Sequence, residues 1–184
     1  AFDAKKTDYT VTVPYATESL TITGKTADPK ASMNPENGVV TLNALKVGET
    51  KATIKVKAED GTEKTYTVTV TREEASTNAD LASLTVSDNF SLDPPFDAKK
   101  IDYTITVPYE TTSLTITGVK ADSKATMDPE NGVVTLNALK VGETKETIKV
   151  RAEDGTEKTY IVKVIRQHAK IEMLPVPAGS FQRD

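Results

Sequence analysis

The stretch TIKVRAEDGTEKTYIVKV at Thr147–Val164 alternates apolar and polar residues on both sides of an Asp-Gly pair, Asp154-Gly155. Strict alternation around such a turn predicts a β-hairpin. Side chains along a strand alternate with period two. Ile148, Val150 and Ala152 therefore share one face of the first strand, and Tyr160, Val162 and Val164 share one face of its partner. An isolated hairpin is marginal in water, so this apolar face requires further strands to cover it.

The same hairpin occurs upstream as TIKVKAEDGTEKTYTVTV at Thr53–Val70, and the likeness extends well beyond it. Phe2–Arg72 overlays Phe96–Arg166 without a gap at a constant offset of 94 residues, with identity at roughly four positions in five. That period is close to the ~100 residues of an immunoglobulin-like sandwich and too long for a solenoid unit. In each copy Tyr9-Val11-Val13 (Tyr103-Ile105-Val107) reads as a strand stopped by a proline. Leu20-Ile22 (Leu114-Ile116) reads as the next, ended by Gly24 (Gly118). Ala31-Met33 (Ala125-Met127) starts a third strand, and the PENG turn at Pro35–Gly38 (Pro129–Gly132) leads into VVTLNAL. No segment carries a clean 3.6-residue apolar period, so the class is all-β. The expectation is two tandem immunoglobulin-like antiparallel β-sandwiches.

Differences between the copies test this phase, because drift is tolerated toward water and resisted toward a packed core. Thr67 becomes Ile161, Thr69 becomes Lys163 and Thr71 becomes Ile165, all out of phase with Tyr66, Val68 and Val70. Those three residues and their counterparts Tyr160, Val162 and Val164 are therefore expected to be buried. Only the second copy is preceded by LASLTVSDNFSLDPP at Leu81–Pro95, in which Ala82, Leu84 and Val86 alternate as a strand and Phe90 and Leu92 serve as anchors. The first copy thus lacks its N-terminal strand. The expected organisation is a first sandwich over 1–72, a polar linker over 73–80, a second sandwich over 81–166 and a tail over 167–184. An uncovered strand edge in the first copy invites strand addition by another chain, the candidate donors being the tail around Ile171–Val176 of a neighbour or a swapped Leu81–Ser87, whereas in the intact protein upstream residues resembling LASLTVS are expected to fill it instead.

Composition narrows the function. The formal charge of −4 with interspersed signs offers no basic stripe for a phosphate backbone, which argues against nucleic acid. The absence of cysteine excludes disulfides, thiolate nucleophiles and Cys-ligated metal. No apolar run approaches the ~20 residues of a membrane span. The chain opens in mid-pattern at Ala1-Phe2-Asp3, so any export signal is expected upstream of it.

Candidate sites each have a plainer explanation. His168, the single histidine, has no cysteine or carboxylate cluster with which to build a metal site or a nucleophilic triad. The carboxylate pairs Glu59-Asp60 and Glu153-Asp154 sit in hairpin turns, where backbone geometry accounts for Asp-Gly. Asn89-Phe90-Ser91 fits the N-glycosylation pattern by coincidence. Tyr15 and Tyr109, each following a proline at a strand end, are the candidate aromatic platforms for carbohydrate, with packing under a loop as the alternative. Glu73, Glu74, Asn78 and Asp80, with Asp60 or Asp154, are the oxygen ligands nearest to a calcium set. No catalytic, cofactor or metal residues are assigned.

LASLTVS, FSLDPPFDAKKIDYTITVP and AEDGTEKTYIVKVIR together resemble the bacterial cadherin-like β-sandwich domain, over nearly all of Leu81–Arg166 and, without the first strand, over Phe2–Arg72. The D-x-N-D-N, D-x-D and L-D-R-E calcium motifs of true cadherins are absent. EMLPVPAGSFQRD at Glu172–Asp184 is similar to the opening of the sulfatase-modifying (formylglycine-generating enzyme-like) domain, with Ala178 where glycine is usual and Arg183-Asp184 in place of Met-Gly. The resemblance implies a non-catalytic spacer or interaction module in an exported, multidomain bacterial protein, secreted or at the cell surface, with other protein domains or chains as partners. The alternative is a ligand-binding module for carbohydrate or calcium.

Overall fold

The computed structural model describes residues 2–170; the tail segments Ile171–Val176 and Glu172–Asp184 lie outside them. The chain divides into two units, Ala1–Ala75 and Ser76–Asp184. The first contains β1 (Asp8–Val13), β2 (Leu20–Thr23), β3 (Ser32–Asn34), β4 (Val39–Leu42), β5 (Gly48–Lys57) and β6 (Glu63–Arg72). The second contains β7 (Leu81–Val86), β8 (Asp102–Val107), β9 (Ser113–Lys120), β10 (Thr126–Asp128), β11 (Val133–Asn137), β12 (Gly142–Arg151) and β13 (Glu157–Arg166). One short 3₁₀ turn, Ser87–Asn89, follows β7.

The hairpin at Thr147–Val164 forms as expected. β12 and β13 pair antiparallel from Gly142↔Arg166 to Arg151↔Glu157, and β5 and β6 do the same from Gly48↔Arg72 to Lys57↔Glu63. At its tip Ala152 N–H donates to Thr156 O at 2.8 Å, and Gly155 takes a positive φ that a side chain would disfavour. Each hairpin recruits one short antiparallel strand and one parallel strand, giving the four-stranded sheets β1-β6-β5-β3 and β10-β12-β13-β8. The parallel members correct the expectation of wholly antiparallel sheets. β1 runs parallel to β6 and β8 parallel to β13. Period-two alternation specifies which face a side chain takes and carries no information on the direction of the neighbouring strand.

The facing sheets differ between units. In the second, β11-β9-β7 make three strands; in the first, β2-β4 make two. Both are held to the turn before β4 or β11 by a close backbone approach. A Cβ on Gly132 would stand 2.3 Å from Gly118 O, so only glycine admits the Gly118 N–H to Gly132 O bond of 2.8 Å.

Burial follows the strand count. In the second unit Tyr160, Val162 and Val164 are buried with Tyr103, Ile105, Val107, Leu114, Ile116, Ile148 and Val150. In the first, Val70 is buried, but Tyr66 and Val68 are only half-buried, which corrects the expectation for those two residues. Val11 is 37% exposed where its counterpart Ile105 is 0% exposed. The cause is β7, which covers one side of the second core and has no counterpart among the described residues of the first. The phase of β7 also needs correcting. Leu81 and Leu84 point inward at 1% and 3% exposure, whereas Ala82 is exposed. A bulge between Leu81 and Ser83 inserts a residue, so strict alternation fails at the start of the strand.

Hydrogen exchange checks this asymmetry. β9 lies between two strands and β2 beside one, so amides of Leu20–Thr23 are expected to exchange faster than those of Leu114–Thr117. Equal protection would contradict the pairing. Leu84→Ala should cost the second unit about 2–5 kcal/mol in a denaturant titration, because it opens a cavity under β7.

Candidate functional site

The carboxylates singled out in the sequence serve turns. Thr62 N–H donates to Asp60 Oδ1 at 2.8 Å and Thr156 N–H to Asp154 Oδ1 at 2.8 Å. These backbone donors hold both carboxyls below the ordinary carboxylate range. Glu153 Oε2 accepts from Ser76 N–H at 3.1 Å and pairs with Lys124 at 3.7 Å. Asn78 Oδ1 accepts from Asp80 N–H at 2.9 Å, while Asp80 Oδ1 accepts from Lys158 Nζ at 2.6 Å. Glu73 N–H donates to Val13 O at 3.0 Å, and Glu74 is exposed. Among the described residues no group of three or more His, Cys, Asp or Glu could hold a metal ion. His168 and Asn89 are exposed.

Tyr15 and Tyr109 lie beneath arginines. The Arg72 guanidinium is 4.7 Å from the Tyr15 ring centroid and Arg166 is 4.9 Å from that of Tyr109. The same arginines donate to backbone carbonyls, Arg72 Nε to Tyr15 O at 2.7 Å and Arg166 Nε to Tyr109 O at 2.8 Å. A further bond runs from each to the carbonyl of Leu45 or Leu139. Each arginine thus ties the end of the last strand to two loops and occupies the face of its tyrosine. Sequence reading missed these clamps, because an arginine at a strand end looks like an ordinary solvated charge.

The arrangement that does distinguish the two units surrounds β7. In the second unit Leu81 N–H donates to Tyr160 Oη at 3.0 Å, and Tyr160 Oη donates to Ala98 O at 2.9 Å. Lys158 Nζ bridges Asp80 Oδ1 at 2.6 Å and Ala98 O at 2.7 Å. The Leu81 side chain lies over Gly118, where a Cβ would stand 3.2 Å from Leu81 Cδ2. Farther on, Phe90 and Leu92 pack on the core, and Asp93 exchanges backbone bonds of 2.8 and 2.7 Å with Thr104 at the edge of β8.

The first unit keeps the receiving parts. Gly24, Tyr66, Lys64, Ala4 and Thr10 stand at the positions of Gly118, Tyr160, Lys158, Ala98 and Thr104. Tyr66 Oη still donates to Ala4 O at 3.2 Å and Lys64 Nζ to Ala4 O at 3.0 Å. Leu20, Ile22, Tyr9 and Tyr66 are half-buried, and Phe2 is 73% exposed beside the Tyr9 ring. Among the described residues no strand pairs with the second edge of β2.

Comparison with known proteins agrees with this architecture. The profile of the cadherin-like beta sandwich domain matches residues 1–73 and again 81–167. The chain belongs to that family. Among solved structures, the human desmocollin-1 ectodomain aligns at 13% identity and a TM-score of 0.40, over 90% of this chain and 41% of that one. Drosophila N-cadherin EC1-3 aligns at 10% identity and a TM-score of 0.34, over 88% of this chain and 65% of that one. The chain therefore spans less than half the length of the desmocollin structure it matches. A search of curated proteins returned no match. Family membership stands on the profile alone.

The β7 anchor makes stability depend on alkaline pH. Burial pushes the Tyr160 phenol up, and the hydrogen bond to Asp80 raises the Lys158 ammonium. Both groups hold their protons more tightly folded than unfolded. Their contribution is fully present below the unfolded values near ~10 and is lost as pH rises through the raised folded values. The denaturation midpoint of the second unit should therefore fall above pH ~10, and Tyr160→Phe should flatten that fall while lowering stability at neutral pH. An unchanged pH slope in the variant would exclude Tyr160 as the source.

Proposed function

We propose that this chain is a non-catalytic pair of cadherin-like sandwiches acting as a spacer and protein-interaction module within a larger exported protein. The observation that carries the reading is how the polar groups are used. The candidate oxygen ligands Asp60, Asp154, Asn78 and Asp80 are spent on turn capping and strand anchoring, and Tyr15 and Tyr109 are spent on arginine clamps. Family membership supports an interaction role, since these sandwiches present strand edges and loops to neighbouring protein. The domain division read from the sequence, 1–72, 73–80, 81–166 and 167–184, is part of the proposal. So is a downstream domain of sulfatase-modifying type, suggested by the similarity at Glu172–Asp184. Such a context places the pair outside the cell, holding its neighbours apart.

A thermal-shift panel separates this reading from a calcium or carbohydrate binder. A ligand selective for the folded state raises the melting temperature by mass action. Neither millimolar calcium nor a panel of soluble glycans is expected to raise either transition. A saturable rise with calcium that disappears in Glu74→Ala, or with a glycan and disappears in Tyr109→Ala, would replace the proposal.

A further inference from the structure

We infer that Asn37-Gly38 and Asn131-Gly132, which close the two PENG turns, are latent self-modification sites: each asparagine converts to aspartate or isoaspartate once its turn opens, and the folded turn holds the reaction shut. No partner is involved. The two turns place the same hydrogen bonds on the atoms that would react, once in each unit.

The chemistry needs only water and hydroxide. The glycine backbone nitrogen gives its proton to hydroxide and attacks Cγ of the preceding asparagine. A C–N bond closes a succinimide ring and the Cγ–Nδ2 bond breaks. The departing nitrogen takes a proton from water and leaves as ammonia, which restores the hydroxide. A second water then opens the ring at one of its two carbonyl carbons, giving aspartate or isoaspartate. Glycine in the second position favours closure, because no side chain crowds the attacking nitrogen and the backbone turns freely when it is released. Asn37 and Asn131 are exposed, so water reaches both carboxamides, whereas Gly38 and Gly132 are buried. The electrophile is therefore open to solvent and the nucleophile is not.

Three bonds pin each reacting pair. In the second unit Gly132 N–H donates to Pro129 O at 2.8 Å, so the proton that must leave is held inside the turn. Val133 N–H donates to Asn131 Oδ1 at 3.0 Å, which fixes the carboxamide. Gly118 N–H donates to Gly132 O at 2.8 Å, which fixes the glycine against β9. The first unit repeats the set: Gly38 N–H to Pro35 O at 2.8 Å, Val39 N–H to Asn37 Oδ1 at 3.0 Å, and Gly24 N–H to Gly38 O at 2.7 Å. Ring closure requires the glycine and the carboxamide to be released together, which is an opening of the turn.

The two products differ in whether the turn can re-form. Aspartate keeps an acceptor oxygen where Asn131 Oδ1 stands, so the bond from Val133 N–H survives. Isoaspartate carries the main chain through the side-chain carbons and lengthens it by one methylene between positions 131 and 132. The site has no slack for that displacement: a Cβ on Gly132 would already stand 2.3 Å from Gly118 O and 2.5 Å from Met127 Cε. At Gly38 the corresponding distances are 2.4 Å to Gly24 O and 2.6 Å to Met33 Cε. A chain that forms isoaspartate while open cannot restore the bond to β2 or β9, so a reversible opening becomes a permanent one.

The experiment ages the full chain in mildly alkaline buffer, with and without urea, and follows both asparagines by the mass and charge of the peptides released on digestion. Amide exchange at Gly38 and Gly132 is read in parallel. Conversion at both sites is expected to be about tenfold or more slower in the folded chain than in the urea-unfolded one, and to rise in sub-denaturing urea in step with exchange of the adjacent glycine amide. Chains aged in urea and returned to buffer should divide into two groups. Those with aspartate at 131 regain protection at the Gly118 and Val133 amides, as an Asn131→Asp chain does, and those with isoaspartate do not. Equal conversion rates in the folded and unfolded chain overturn the inference. So does the absence of conversion in urea, and so does an isoaspartate chain whose Gly118 amide regains full protection.

Discussion

Covering one margin of an apolar face is the requirement on which both units depend. A sheet with one uncovered margin leaves backbone donors and acceptors in water and its inner side chains partly wet. Leu81 and Leu84 meet that requirement in the second unit, and the effect spreads beyond their own contacts. Ile105, Tyr103 and Ile116 are buried there, while Val11 is exposed and Tyr9 and Ile22 are half-exposed in the first unit on nearly the same sequence. Near-identical residues thus reach different burial because β7 and the Phe90 and Leu92 that follow it cover only the second core.

Tyr160 is the joint between that strand and the rest. Its ring sits in the core while its hydroxyl accepts from Leu81 N–H and donates to Ala98 O, so one side chain links β7, the loop before β8, and β13. Burying a phenol is tolerable when its oxygen is satisfied in this way. Tyr66 keeps the bond to Ala4 O and holds the corresponding loop.

The hairpins, the all-β class and the tandem repeat were legible because period-two patterning and an exact residue offset are properties of sequence alone. The drift at Thr67, Thr69 and Thr71 marked the outer face of β6 before any coordinates were needed. Other features were hidden for identifiable reasons. The bulge at Ala82 shifts phase within one strand, and nothing in L-A-S-L announces it. The parallel pairing of β1 with β6 depends on where distant strands settle. Half-burial of Tyr66 and Val68 depends on a missing neighbour, so an inward phase was necessary for burial and insufficient. Of the site, the extra strand carried only by the second copy was legible in LASLTVS; its anchors on Tyr160 and Lys158 were not, since a tyrosine and a lysine in a strand have many uses.

The parallel ladder between β1 and β6 has a consequence for load. Its register runs from Asp8↔Thr67 to Val13↔Arg72, so the start of β1 and the end of β6 lie at opposite ends of one set of rungs. Tension applied between the two ends slides β1 and β6 past each other and strains all of the rungs together. An antiparallel pair pulled from adjacent ends would instead peel one rung at a time. β8 and β13 pair in the same parallel register, though β7 on the facing sheet comes before them, and Arg72 and Arg166 rivet the far end of each ladder to the loops beside it. Pulled in this direction, the β1–β6 ladder gives way only when its rungs break together.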